Sequence, residues 1–145
     1  MLRFVEVRDY VEDGLEALGY EDTTAPSTRT MPRFDPGPLE IERLRQISPG
    51  PTVFLTVGNG GKMQVEGLFD RTFITARVIG PQHDFDGAEQ LAIDLDRLLL
   101  EVQAGYMGDS YLLFVNRTGG PPALVSFDAG ERYHYQTTYI TEVTR

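Results

Sequence analysis

The stretch RTFITARVIGPQHDFDGAEQLAIDLDRLLLEVQAG, residues 71–105, changes its hydrophobic period partway along, and that change decides the fold. Up to Ile79 it alternates. Ile74, Ala76 and Val78 fall on one side of an extended chain and Phe73 and Ile79 on the other, the period of a strand. Beyond Gly80-Pro81 the period becomes helical, with Ala88, Leu91, Leu95, Leu98 and Val102 at steps of three and four. Asp86 followed by Glu89 reads as a capping box and Gly105 as a stop, so the spacing predicts a helix over about 86–104.

Short β-rich runs lie on both sides of this switch. Upstream, PTVFLTV (51–57) leads through the turn GNGGK (58–62) to MQVEGL (63–68), which can pair back across it. Downstream come SYLLFVN (110–116), the turn RTGGPP (117–122), ALVSF (123–127), the turn DAGE (128–131) and a last strand over 132–143. At the N-terminus, Phe4, Val7, Val11, Leu15 and Leu18 predict an amphipathic helix over 2–19, ended by Gly19. Residues 20–38 hold four prolines and no periodicity and read as a long loop, and PLEIERLRQI (38–47) reads as a short helix. The expectation is one α+β domain over 1–145. Its sheet is mostly antiparallel and is flanked by two main helices at about 2–19 and 86–104.

With 145 residues there is length for one core and little room for a second. No cysteine is present, which excludes disulfides, thiol catalysis and thiolate zinc sites. The acid-punctuated N-terminus is not expected to be a secretory leader, and no run approaches the roughly 20 apolar residues of a membrane span. Net charge is −9, and the excess acid is spread along the chain: residues 1–50 carry ten acids and six bases, residues 51–145 twelve and seven. No basic face for holding phosphates can be assembled from that distribution, so sequence-specific nucleic-acid binding is not expected. Twelve of the thirteen bases are arginine, a residue suited to bidentate interface pairs, although a GC-rich genome is the plainer reading.

Motifs that carry chemistry are weak. VGNGGK (57–62) lacks the spacing, the Ser/Thr and the following helix of a phosphate loop, and a hairpin turn fits better. HDFD (83–86) gathers His83, Asp84 and Asp86, but neighbours on a loop rarely converge on one ion, and capping accounts for Asp86. Ser27, Ser48, Ser110 and Ser126 sit in no nucleophile elbow. No catalytic, cofactor-binding or metal-ligating residue is singled out, and a carboxylate-pair enzyme stays open only because such pairs have no local signature.

The last strand is the distinctive element. FDAGERYHYQTTYITEVTR (127–145) puts Tyr133, Tyr135, Tyr139 and Val143 on one face and His134, Thr138 and Ile140 on the other. Base stacking would need flanking bases to hold a nucleic-acid backbone, and only Arg132 and Arg145 are there. Tyrosine, apolar in body with one polar handle, suits an interface, so one face is expected to pack the core and the other to meet a neighbouring subunit.

The order of elements resembles the tail terminator and minor capsid (head–tail joining) proteins of long-tailed bacteriophages and prophages. The likeness lies in the N-terminal helix, SPGPTVFLTV leading into the sheet, the arginine-bearing strand FDRTFITARVIG before the helix DGAEQLAIDLDRLLL, and FDAGERYHYQTTYI feeding the final strand. It covers about residues 50–143 and more loosely 1–20, and the segment 20–38 is longer than a minimal member needs. The resemblance implies a non-enzymatic virion protein of the tail or neck, assembled in the bacterial cytoplasm, without cofactor or membrane. Such a protein forms a ring, commonly hexameric, on the last ring of tail-tube protein. It stops tube growth and offers the head–tail connector proteins an attachment surface, while DNA passes through the lumen. A head-to-tail ring needs two unlike faces, and an acidic lumen repels phosphate. The family carries over no catalytic residue. By position, Arg132, Tyr133, Tyr135 and Tyr139 are the first candidates for sheet packing or a subunit contact, and Arg71 and Arg77 the second. Another neck protein, such as a head-completion or connector-stopper subunit, is the nearest alternative. A small carboxylate-dependent enzyme or a monomeric ligand-binding domain is more distant.

Overall fold

The computed structural model describes residues 2–22, 29–38, 50–59, 69–128 and 130–144. Among them run α1 (Phe4–Ala17), β1 (Arg33–Pro36), β2 (Thr52–Asn59), β3 (Phe69–Ile79), α2 (Phe85–Leu100), β4 (Gln103–Met107), β5 (Ser110–Arg117), β6 (Ala123–Phe127) and β7 (Tyr133–Thr144). The expected class holds: two helices lie against one mostly antiparallel sheet of seven strands, an α+β architecture. The expected helix at 38–47, the strand at 63–68 and most of the turn at 58–62 lie outside the described residues.

The sheet order is β1-β2-β3-β7-β5-β4, with β6 also paired to β7. β7 is its longest strand and its axis. Along one side it pairs with β3, from Phe69 opposite Thr144 to Ile79 opposite His134. Its other side is shared by β5, antiparallel from Leu112–Val143 to Arg117–Tyr139, and β6, antiparallel from Ala123–Gln136 to Phe127–Tyr133. Since both oppose β7, β5 and β6 run in the same direction end to end, as one strand interrupted at 118–122.

The alternation read in the sequence sets the core. Ile74, Ala76 and Val78 of β3, Val53 and Leu55 of β2, and Tyr135, Tyr139 and Val143 of β7 meet Val7, Val11 and Leu15 of α1 and Leu91, Leu95 and Leu99 of α2. Each valine, leucine or isoleucine among them, taken from water, contributes about 1.5–3 kcal/mol. Gly14, a weak point by helix propensity, has a packing reason: a Cβ there would stand 2.6 Å from a Leu98 methyl, so glycine lets the two helices close on each other.

Three expectations are corrected. The cap of α2 is Asp84, whose Oδ1 accepts the Gly87 N–H at 2.8 Å; Asp86 lies one residue inside the helix. The helix ends at Leu100 and not at 104, because Gln103–Met107 leave it to form β4, and Gly105 sits opposite Leu112 inside that strand. The hairpin from β4 to β5 turns through Gly108, at φ +57, directly against Glu6 of α1. Finally, the long 20–38 segment is not all loop, since β1 runs parallel to β2 from Arg33–Thr52 to Pro36–Leu55, and Glu21 bridges Thr30. The partner of β1 is distant in sequence, so no local pattern announces it.

Candidate assembly surface at the β6–β7 end of the sheet

β7 sorts its side chains by parity. Tyr135, Thr137, Tyr139, Thr141 and Val143 are buried beneath the helices, while Gln136, Thr138, Ile140 and Glu142 are half-buried on the opposite face. Tyr139 is 0% exposed, and its hydroxyl donates at 2.8 Å to Asp96 of α2. The same carboxylate takes the Arg117 guanidinium, with Nε at 3.0 Å and a second contact from Arg117 Nη2. Burial, and then the adjacent Asp96, push the Tyr139 phenol far above its ordinary value. Tyr135 is 6% exposed and its hydroxyl lies 3.4 Å from Glu89, burial again raising the phenol. Of the two roles expected for Tyr135 and Tyr139, sheet packing or a subunit contact, both side chains take the first, engaged inside their own subunit. Asp94, two residues earlier in α2, is held in the same way, by the Tyr20 hydroxyl at 2.7 Å and the Gln90 amide at 2.9 Å.

The turn from β6 to β7 is built on Asp128. Its Oδ1 accepts the backbone N–H of Gly130 at 2.8 Å and of Arg132 at 3.2 Å. Its Oδ2 lies 3.2 Å from Arg132 Nε and 2.6 Å from His134 Nε2. On the far side of the imidazole, Arg77 Nε donates to Nδ1 at 3.2 Å and Arg77 Nη1 to Gln136 at 2.9 Å. That geometry assigns the tautomer: Nδ1 accepts, so Nε2 carries the proton and gives it to Asp128. Burial lowers the His134 pKa against the opposing pull of Asp128. Asp128 itself is raised by burial but held below the usual carboxylate range by His134 and the Arg132 backbone. Arg132, 8% exposed, is thus a buried strut of the turn rather than a surface anchor. Arg77 is half-buried in the same network. Arg71 is half-buried beside Glu142, at 3.6 Å. His83 and Glu131 both adopt φ +60 and pair at 2.7 Å, tying the start of α2 to this turn. The three polar side chains of HDFD go three ways, to Glu131, to the helix cap and to solvent, and among the described residues no three acidic or histidine side chains gather as ligands.

An apolar surface sits on top of this framework. The register between β6 and β7 slips between Leu124 and Ser126, so Leu124 opposes Tyr135 and Phe127 opposes Tyr133. Residues directly opposite share a face, and without the slip Leu124 and Phe127 would point to opposite sides. Phe127 packs on Tyr133 with centroids 4.7 Å apart, and Phe85, at the start of α2, meets Tyr133 edge-on at 5.1 Å. Leu124, Val125 and Phe127 are about half exposed and Phe85 is 40% exposed. Tyr133, alone among the four expected residues of this strand, belongs to that surface. Leu124, Phe127 and Phe85 escaped sequence reasoning. The available signal was ALVSF, five residues without charge, proline or alternation between two turns. A second feature is an open groove of about 600 Å³ between α1 and β1, lined by Arg8, Glu12, Asp22, Met31, Phe34 and Pro51.

No protein-family model and no curated protein sequence matches this chain. Among the described residues no helix is long and apolar enough to cross a membrane.

Proposed function

We propose that this chain is a structural protein of a long-tailed phage virion, a tail terminator that forms a ring on the tail tube, stops its polymerisation and receives the head. One contrast supports an assembly role. The ionisable groups best placed for chemistry, the buried Glu6, Asp94, Asp96 and His134 and the half-buried Asp128, are occupied by structural hydrogen bonds. Apolar groups that a core could have used, Leu124, Val125, Phe127 and Tyr106, stand at the surface. A small domain with that distribution is arranged to be covered by other protein. The fold offers two unlike surfaces, the aromatic patch beside β6 for a partner protein of the tail or neck and the charged groove beside β1. The net charge of −9 suits a lumen through which DNA slides.

Particle mass against concentration, by light scattering behind a sizing column, tests ring formation, and tail-tube protein is then added. A terminator shortens growing tubes at substoichiometric amounts. Tubes of unchanged length, together with a chain that stays monomeric beside them, refute the reading. Rings that leave tube length unchanged point to another neck subunit.

A further inference from the structure

We infer that the outer edge of β6, with the aromatic patch beside it, is a docking site for an extended segment of a different protein that alternates apolar and basic side chains. The inference rests on the patch and not on the terminator reading. It holds whether or not the chain forms rings.

Edge strands are normally protected by lysine, proline or an inward-pointing charge, because unpaired backbone groups recruit other strands. β6, Ala-Leu-Val-Ser-Phe, carries no charge and no proline, and its only devices are its short length and the bulge between Leu124 and Ser126. Among the described residues it pairs with β7 alone, while β5, the strand it continues, is covered by β4. Among the described residues, the outer edge of β6, in line with β4, is therefore left without a strand partner. β1, at the other end of the sheet, contrasts with it. Arg33 and Asp35 pair with each other at 3.2 Å and Pro36 has no N–H, so that edge is blocked in the usual way. A strand added to β6 would find its backbone partners there and would lay every second side chain against Leu124, Phe127 and Phe85.

The charge around the patch selects the occupant. Asp86 and Glu89, exposed on α2 beside Phe85, and Glu131, paired with His83 in the turn, flank it, whereas Arg132 is buried against Asp128. A second copy of this chain would bring a net charge of −9 to an acidic rim, a like-charge approach. A strand bearing lysine or arginine between its apolar residues gains from both the rim and the patch.

The test uses the whole chain and fluorescein-labelled peptides about seven residues long, enough to run past β6. One alternates valine with lysine, one valine with glutamate and one serine with lysine. A fourth is the valine–lysine peptide N-methylated at every second amide. Fluorescence anisotropy should show the valine–lysine peptide binding about tenfold or more tighter than each of the others. Leu124→Ser with Phe127→Ser, both at exposed positions, should lower that affinity by at least about tenfold, with circular dichroism confirming the fold. Leu124→Ser alone is the readout if the double variant unfolds. Absence of binding, equal binding of the serine–lysine or valine–glutamate peptide, or equal binding by the variants overturns the proposal. Equal binding of the N-methylated peptide overturns strand addition. Self-association of the wild-type chain that the double variant abolishes would show that the occupant is another copy.

Discussion

Glu6 looks like an ordinary acidic residue in the first turn of a surface helix, yet it is 5% exposed and holds two distant parts of the chain together. Its Oε2 accepts the backbone N–H groups of Asp109 at 2.9 Å and Ser110 at 3.1 Å, at the tip of the β4–β5 hairpin. Its Oε1 accepts the Ser110 hydroxyl at 2.9 Å and the Arg3 N–H at 3.0 Å, closing the first turn of α1. Glu6→Gln keeps one oxygen. The arrangement that retains both hairpin N–H groups turns the amide NH₂ toward Ser110 Oγ, which can accept it, and leaves the Arg3 N–H without an acceptor. The loss is then one charge-assisted bond and the ionic character of the rest, about 2 kcal/mol; Glu6→Ala loses every acceptor and costs about 4 kcal/mol. Burial pushes the Glu6 carboxyl up, but Ser110 and the Arg3 and Asp109 amides outweigh it and leave its pKa below the ordinary value. With the folded pKa depressed, the ionised group's contribution is present above the unfolded value, about 4.3, and is lost as pH falls through the folded value. Urea unfolding of wild type and Glu6→Gln should therefore show a constant gap near neutral pH that narrows below about pH 4. An absent gap at neutral pH, or one that is unchanged at about pH 3, refutes the reasoning.

Two further outcomes follow from the buried network under α2 and the one at the β6–β7 turn. Tyr139→Phe keeps the ring and removes the hydroxyl from Asp96, so it should cost about 1.5–3 kcal/mol in chemical denaturation with an unchanged slope, and a cost near zero would show that Arg117 alone satisfies the carboxylate. His134 should titrate below the ordinary histidine value of about 6.5 in a proton-detected NMR titration. Stability should fall as pH drops from there toward the lower folded value, because the unfolded chain takes up a proton that the folded chain does not; a His134 titrating at or above about 6.5 refutes the buried neutral tautomer.

Elements whose pattern is repeated and local were legible. The period switch at Gly80 separated β3 from α2, the spacing of Val7, Val11 and Leu15 placed α1, and uncharged runs between Gly/Pro-rich turns located β5, β6 and β7 to within about two residues. Of the candidate surface, Tyr133 was singled out in the sequence as an aromatic group on a two-sided strand. Phe85 was hidden inside a motif read for its acids, and Leu124 and Phe127 share a face only because of a register slip that no sequence period encodes.

The amino-acid sequence by itself determined the α+β class, the two main helices, most of the strands and the acidic character of the surface, since periodicity and charge are properties of neighbours along the chain. The tertiary structure decided which tyrosines are available. Tyr135 and Tyr139 have the same spacing and chemistry as an interface pair, but α2 packs over them and supplies Glu89 and Asp96 to their hydroxyls. It also decided that residues 103–104, read in the sequence as the end of a helix, open β4 instead, with Glu6, a hundred residues away, accepting the hairpin N–H groups once α1 lies beside it. A carboxylate looks the same in sequence whether it faces water or a distant turn, and only packing tells the two apart.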